Sequence, residues 1–309
     1  MADAAELVQR LELGVQEIMS SDGWRRYLAA QARFHQYSAG NVLLILVQRP
    51  DASQVAGYTT WQGLGRQVRK GEKGIAILAP VFPRRDTATQ QDAGGGEEQL
   101  AQDSGEGQGT RSPIRFRVAH VFDVSQTEGE QLLEPPIHRL EGDSSEARWL
   151  LERLFEVARD EGLKVEMAAT DTGQANGFYR PLTQEIHVAR GLAPDQQAKT
   201  LAHEIAHHLL QHGRGRDPGR HAEEAEAEGV AFVVCSRFGL DTSQYSFGYV
   251  GAWASRGKEG IATVKAVSTT IQRTASGLID RLEPTQIREE DSAARRRPAA
   301  SHVSGGTDR

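Results

Sequence analysis

The chain is poor in the residues that mark several protein classes, and each shortage excludes something. It contains a single cysteine, Cys235, which excludes an internal disulfide framework and a thiolate-rich zinc site. Its longest aliphatic run, Val42 to Val47, is far shorter than the ~18 apolar residues that span a bilayer. The first residues include acids and lack the apolar core of a secretory signal. We therefore expect a cytoplasmic protein with no membrane partner.

Basic residues are also too few to predict nucleic-acid binding from overall charge. The 309-residue chain has a formal net charge of −6 at pH 7, so any nucleic-acid surface has to be local. Apolar content of 38% and charged content of 25% are typical of a globular protein. The negative mean hydropathy predicts a substantial disordered fraction. This length suits two domains, or one domain with tails.

Two stretches have the composition of disordered segments. Residues 86–109 carry acids but no base and no aromatic, which predicts a flexible insertion over residues 86–112. The insertion separates two strand-like stretches, "GIAILAPVF" and "IRFRVAHVFDV". It is therefore expected to join neighbouring strands of one sheet rather than two domains. The tail, residues 284–309, is also predicted to be disordered.

The remaining sequence predicts an α+β protein with two domains. Two prolines and a polar cluster indicate a linker over residues 134–145. We expect an α/β domain over residues 1–133 and a second domain over residues 146–283. The second domain is predicted to contain a helix, a strand, a β-hairpin that turns at residues 180–184, and two further helices.

A histidine-rich helix in the second domain has the spacing of a metal site. In the stretch "TLAHEIAHHLLQH", His203 and His207 lie four residues apart, so both imidazoles project from one helix face. Two imidazole nitrogens so placed can bind one zinc ion. Glu204, beside the first ligand, is the candidate general base. The extended pattern HExxHxxGxxH is absent, and His208 and His212 are accordingly assigned to the surface.

The following helix offers the third ligand. Glu224 and Glu228 share a face with small apolar residues, and a carboxylate buried on such a stripe needs a partner such as a metal ion. We predict Glu224 as the ligand, with Glu228 as its alternative or as a support for another ligand. Glu223 and Glu226 are assigned to the solvated face. Zinc is the expected metal, with manganese as the alternative.

A basic cluster in the first domain predicts a surface for single-stranded DNA. The stretch from Trp61 to Arg85 contains six basic residues and only one acid, Glu72. Bases that contact phosphates, together with aromatics that stack on nucleobases, form a sequence-tolerant single-strand site. The candidate contacts are Tyr58, Trp61, Arg66, Arg69, Lys70 and Lys73. The alternative is a charged hairpin tip that keeps the surface polar, with Trp61 in the core.

Both halves of the chain resemble known families. The stretches "NGFYRPLTQEIHVA", "KTLAHEIAHHLL" and "EEAEAEGVAFVV" resemble the zincin-type metallopeptidase domains of the ImmA/IrrE group and of ArdC-type antirestriction proteins. Residues 36–81 resemble the N-terminal single-stranded-DNA-binding domain of ArdC-like proteins. Together the resemblances cover most of residues 5–255. They imply zinc binding by His203, His207 and Glu224, with Glu204 as the base.

The resemblance extends to the stretch "FGLDTSQYSFGYVGAW" and implies tyrosines near the cleft. Tyr179, Tyr245 and Tyr249 are candidates for stabilising an oxyanion or lining the cleft, with core packing as the alternative. The strand from Glu185 to Val188 is predicted to be an edge that binds an extended peptide.

The function implied is non-specific binding of single-stranded DNA, coupled to a zinc metallopeptidase-like domain, in the protection of incoming DNA. Two alternatives stand beside it. One is a DNA-localised zinc protease that cleaves a repressor or a DNA-bound protein. The other is a DNA-binding protein whose metal is purely structural.

Overall fold

The computed structural model describes residues 4–81, 115–130, 145–168, 176–214, 220–240, 245, 247, 250, 253 and 256–283. The predicted insertion, the predicted tail and all but the last residue of the predicted linker lie outside these residues. Among the described helices, none combines the length and the apolar character needed to cross a membrane.

Three helices open the chain: α1 (Ala4–Glu17), α2 (Ser21–Arg33) and α3 (Ala39–Gln48). The hydroxyls of Ser20 and Ser38 cap α2 and α3 by accepting backbone N–H bonds from the first turn of each helix. The amphipathic helix α1 and the largely apolar helix α3 pack together.

A small antiparallel sheet follows the helices. The elements of this region are β1 (Val55–Gly57), α4 (Tyr58–Gly63), β2 (Arg66–Val68), β3 (Ile75–Val81), β4 (Arg115–Asp123), a 3₁₀ turn (Val124–Gln126) and β5 (Thr127–Gly129). The strand order is β1-β4-β3, and β2 pairs separately with β5. The predicted insertion therefore joins two directly paired strands, β3 and β4, as expected.

Helix α3 covers the outer edge of β3 with two side-chain amides. Asn41 donates to Leu78 O and accepts from Leu78 N, each at 2.9 Å. Gln48 donates to Ala76 O at 2.8 Å and accepts from Ala76 N at 3.0 Å. These bonds replace a neighbouring strand, so the backbone groups at this edge are satisfied.

The second half contains a three-stranded mixed sheet and four long helices. Its elements are α5 (Ser145–Asp160), β6 (Lys164–Ala168), β7 (Gly177–Arg180), β8 (Glu185–Ala189), α6 (Pro194–Leu209), α7 (Arg220–Arg237) and α8 (Lys258–Leu282). The hairpin of β7 and β8 is present, as predicted. The prediction that Glu185 to Val188 is an edge strand is wrong. Strand β8 lies in the centre, with β6 parallel on one side and β7 antiparallel on the other.

Helix α8 joins the two halves into one apolar core. It packs against α5 and α7 and also against α1 and α3. Across this contact Gln31 donates to Ser268 O at 3.1 Å, and Gln272 donates to His35 O at 2.8 Å. His35 is buried at this contact. The described residues of the two predicted domains thus share a continuous core.

Asp123 organises the start of the first sheet. Its buried carboxylate accepts backbone N–H bonds from Ser53 at 2.8 Å, Gln54 at 3.2 Å and Ser125 at 3.0 Å. Burial would raise the pKa of Asp123. The bonds from Ser125 and from the three amides outweigh burial and hold the pKa below its ordinary value of 3.8.

We predict that Asp123→Asn lowers the free energy of unfolding by about 1–3 kcal/mol at pH 7, because buried amides lose a charged acceptor. Since the folded-state pKa is depressed, this stabilisation is present above the ordinary pKa and is lost as the pH falls through the folded value. Urea unfolding from pH 7 to pH 2.5 measures the difference from the parent, with the exposed Glu12→Gln as control. Equal stability at pH 7 would contradict the role of Asp123.

Candidate metal centre

Helix α6 presents its histidines on the side that faces α7. Pro194 occupies the first turn, where a missing N–H costs nothing. Ala198, Leu201, Ala202 and Ile205 form the fully buried face of the helix. With this face set in the core, His203 and His207 point toward α7, which packs closely against α6.

Three side chains converge between α6 and α7. The Nε2 atoms of His203 and His207 lie 3.0 Å apart. One carboxylate oxygen of Glu224 lies 3.5 Å from His203 Nε2 and 3.9 Å from His207 Nε2. An ion bonded at about 2.1 Å can bridge atoms up to about 4.2 Å apart, so all three separations suit a shared ion.

The remaining ring nitrogens show why both Nε2 atoms are available. His203 Nδ1 lies 3.2 Å from a carboxylate oxygen of Glu228, and His207 Nδ1 lies 2.8 Å from His212 Nδ1. When each Nδ1 donates its proton to such a partner, both Nε2 atoms carry lone pairs and face each other. That arrangement is stabilised by a cation placed between them, which fits a bound divalent metal.

The pKa values of the two histidines move in opposite directions. Burial would lower the pKa of His203, but hydrogen bonds to Glu224 and Glu228 outweigh burial and raise it to about 9. Burial and the neighbouring His203 lower the pKa of His207 to about 4. Without a metal ion, these opposite directions favour a proton on His203 over one on His207.

Glu204 lies beside this group but outside the converging set. Glu204 is 7% exposed, and burial raises its pKa to about 7, against the lowering effect of His203. Gly177 on β7 makes room next to it. A Cβ at that position would lie 2.5 Å from Thr200 Cγ2 and 2.6 Å from His187 O.

Two assignments to the surface are wrong. His212 is 3% exposed and Glu226 is 2% exposed. The chain turns back after α6 and brings His212 beneath His207, where His212 Nε2 meets a carboxylate oxygen of Glu226 at 3.1 Å. His208 is also partly buried, with Nδ1 2.9 Å from the Tyr179 hydroxyl. Only the pairing of α6 with α7 brings these groups together, so helical spacing alone could not find them.

Glu224 differs from expectation in its exposure. A buried carboxylate was expected at this position, but the Glu224 side chain is 54% exposed. It lies near the start of α7, where the helix reaches the protein surface. One side of the site is therefore open to solvent. Glu228, deeper along α7, contacts His203 Nδ1 and pairs with Lys199 at 3.2 Å.

The three tyrosines have separate surroundings. The hydroxyl of Tyr179 is bonded to His208. Tyr245 is buried, with Lys199 Nζ 3.6 Å from the centre of its ring, and it packs on Phe232. Core packing, the alternative interpretation, is therefore what Tyr245 does. Tyr249 lies outside the described residues.

The predicted DNA contacts are only partly exposed. Trp61 is 2% exposed and donates its indole N–H to Phe122 O at 2.9 Å, so the prediction that it stacks on bases is wrong. Tyr58, in contrast, is 42% exposed. Arg66 is bonded to Thr127 and Arg69 to Glu72 and Ser125 O, which hold the local turn together.

Lys70 and Lys73 remain as exposed cations on this turn. A cleft of about 760 Å³ lies beside it, and Lys73, Arg10 and Arg49 are among its lining residues. Sequence reasoning missed Arg10 and Arg49, which belong to α1 and to the end of α3. No local pattern connects them with the turn, because the fold alone brings these segments together.

Two family models match the chain. The N-terminal domain of anti-restriction factor ArdC matches residues 4–122, and the IrrE N-terminal-like domain of the M78 peptidase family matches residues 158–236. An uncharacterized protein of Bacillus anthracis is 25% identical over 274 residues, which cover 82% of this chain and 46% of the relative. The DNA primase TraC of Escherichia coli is 27% identical over 240 residues, which cover 71% of this chain and 15% of the primase. The chain thus spans less than half the length of these curated relatives.

Two solved structures are also similar. They are the metal-free and the Mn(II)-bound forms of the antirestriction ArdC protein from plasmid R388, which are 21% and 20% identical to this chain. Each match covers 80% of this chain and 85% of that chain, with a TM-score of 0.48. The chain therefore carries a segment that matches the N-terminal domain of anti-restriction factor ArdC, followed by an IrrE-type, metallopeptidase-like segment.

Proposed function

We propose that this protein binds single-stranded DNA without sequence specificity, holds a divalent metal ion in its second half, and protects incoming DNA. The observation that carries the metal part is the convergence of His203, His207 and Glu224, with Glu204 beside them. The ArdC-type N-terminal segment and the exposed basic turn support the DNA part.

His203, His207 and Glu224 would hold the ion. Two imidazoles and one carboxylate are a common donor set for zinc, and the same donors also accept manganese. A bound ion at this site supplies Lewis-acid chemistry. Glu204 is placed to take a proton from a water molecule near the ligands, and its buried position keeps its proton affinity high enough for that role.

A DNA-localised peptidase that cleaves a repressor or a DNA-bound protein is the second candidate. The observation that favours it is the combination of an accessible Glu224 with a buried Glu204 that is not needed as a ligand. A purely structural zinc site ordinarily has four protein ligands and no open side. Among the described residues, the converging group supplies three protein ligands.

The DNA surface would run from the basic turn into the neighbouring cleft. Lys70 and Lys73 lie at the exposed end, and Arg10 and Arg49 line the cleft beyond it. Cations spaced along a groove follow a phosphate backbone without reading bases. Tyr58, the exposed aromatic of this region, is the candidate for stacking.

We expect His203→Ala to abolish stoichiometric metal binding, because two remaining donors hold an ion far more weakly than three. Elemental analysis after dialysis measures the metal content, and melting with and without added zinc or manganese measures the stabilisation. The exposed His120→Ala on β4 is the matched control. Full metal retention by His203→Ala would refute the ligand assignment.

Glu204→Gln separates chemistry from metal binding. We expect this variant to keep its metal and its affinity for DNA and to lose any hydrolytic activity, since an amide cannot accept the proton. Parent and variant are incubated with casein and with DNA-bound proteins, with and without single-stranded DNA. Cleavage by the parent alone would support the peptidase. Equal cleavage by both proteins would exclude Glu204 as the base.

We expect Lys70→Glu/Lys73→Glu to weaken binding of a fluorescent oligothymidylate. The logarithm of the binding constant falls as the logarithm of the salt concentration rises. Loss of two phosphate contacts should make this dependence shallower by about 1.4, since each contact contributes about 0.7 on single strands. Fluorescence anisotropy from 50 to 300 mM salt measures both quantities.

The double variant Lys265→Glu/Arg273→Glu on α8 is the control for this experiment. It changes the net charge by the same amount as Lys70→Glu/Lys73→Glu, but at exposed residues outside the basic turn. Equal weakening by both variants would indicate a long-range charge effect rather than a site at the turn.

A further inference from the structure

A buried polar pair supports His207 from the side opposite the converging donors. His212 and Glu226 are among the least exposed polar residues of the described chain, at 3% and 2%. His207, His212 and Glu226 form a chain of hydrogen-bonded groups. His207 Nδ1 lies 2.8 Å from His212 Nδ1, and His212 Nε2 lies 3.1 Å from Glu226 Oε2. Burying such groups is costly unless each has a partner.

This chain of hydrogen-bonded groups assigns the proton positions. A carboxylate can only accept, so Glu226 takes the Nε2–H of His212. His212 Nδ1 is then an acceptor and receives the Nδ1–H of His207. His207 is left with a lone pair on Nε2, the atom that faces His203 and Glu224. The buried carboxylate thus selects the tautomer of His207 that can bind a metal.

The backbone after α6 is shaped to place His212. Gln211 has φ 57°, in the left-handed region that residues other than glycine rarely adopt. This turn lets His212 N donate to His207 O at 3.0 Å. The ring centroids of His207 and His212 then lie 4.9 Å apart, and the two ring planes meet at 69°. An unfavourable backbone conformation is retained where the surrounding contacts require it.

We propose that His212 and Glu226 are positioning residues that hold His207 as a metal ligand and set the affinity of the site. The inference rests on the proposed metal centre. His203 has its own support in Glu228 and Lys199. Each histidine ligand is thereby backed by a different carboxylate of α7, and the support of His207 passes through a second histidine.

The test compares metal affinity across four proteins: the parent, Glu226→Gln, His212→Leu and His212→Asn. Zinc affinity is measured by competition with a chromophoric chelator, and the absorption spectrum of the cobalt-loaded protein reports the ligand geometry. Removing an outer partner of a ligand typically costs about 10–100-fold in metal affinity. We expect a loss in this range for His212→Leu and for Glu226→Gln, with an altered cobalt spectrum.

His212→Asn is the rescue variant, because its amide oxygen can still accept from His207 Nδ1. It should bind zinc more tightly than His212→Leu does. The control is His208→Asn, which changes a partly buried histidine of α6 that is bonded to Tyr179 rather than to His207. If His212 and Glu226 had a purely structural role, their variants would unfold at lower midpoints in the metal-free state, and their zinc affinity would be unchanged.

The outcomes distinguish the two levels of proposal. If the parent binds no metal, the proposed centre itself fails. If the parent binds zinc, His203→Ala does not, and Glu226→Gln and His212→Leu bind as tightly as the parent, the positioning role is overturned while the centre stands. Glu226→Gln preserves side-chain size, so the test holds even where His212→Leu does not fold.

Discussion

The close approach of α7 to α6 on one side and to α8 on the other is the constraint on which the site depends. Buried small residues suit such packing: Ala202 and Ala206 on α6 and Ala227 on α7 are fully buried. Gly229 allows α8 to approach α7, because a Cβ there would lie 2.3 Å from Ile271 Cδ1. At larger separations, glutamate side chains on α7 would not reach imidazoles on α6.

This packing also explains why so many polar groups are tolerated between the helices. Each ring nitrogen that points inward has a partner, and the partners end in carboxylates of α7. A buried network of this kind is stable only when its members are satisfied, so it fixes ring orientations that a looser interface would leave free. The exposed Glu224 leaves the converging donors open to solvent on one side.

The two halves of the chain meet close to this network. Arg25 on α2 donates to Tyr245 O at 2.6 Å, and Lys199 lies over the ring of Tyr245. Lys199 in turn pairs with Glu228, which contacts His203. Tyr245, which Arg25 of α2 contacts, is thus connected to the candidate ligand His203 through Lys199 and Glu228. The shared core and these contacts join the N-terminal segment to the segment that carries the converging donors.

Local sequence was sufficient for everything that depends on helical or strand periodicity. The spacing of His203 and His207 requires one helix face, and the alternating stretches around the insertion require paired strands, because both periods are properties of the backbone itself. By these means the order of most elements in the second half, the hairpin and the candidate ligands could be predicted.

Tertiary structure decided what each residue meets. Trp61 and Tyr58 are three residues apart and equally aromatic, yet only the sheet determines that the indole is buried against Phe122 while the phenol stays exposed. Glu224 and Glu226 are likewise neighbours in sequence, and their exposures are the reverse of those expected. Sequence alone determined which chemical groups the chain can place on a helix face. Which of those groups are buried, and which partners they find, follows from the packing of distant segments, and local periodicity carries no information about it.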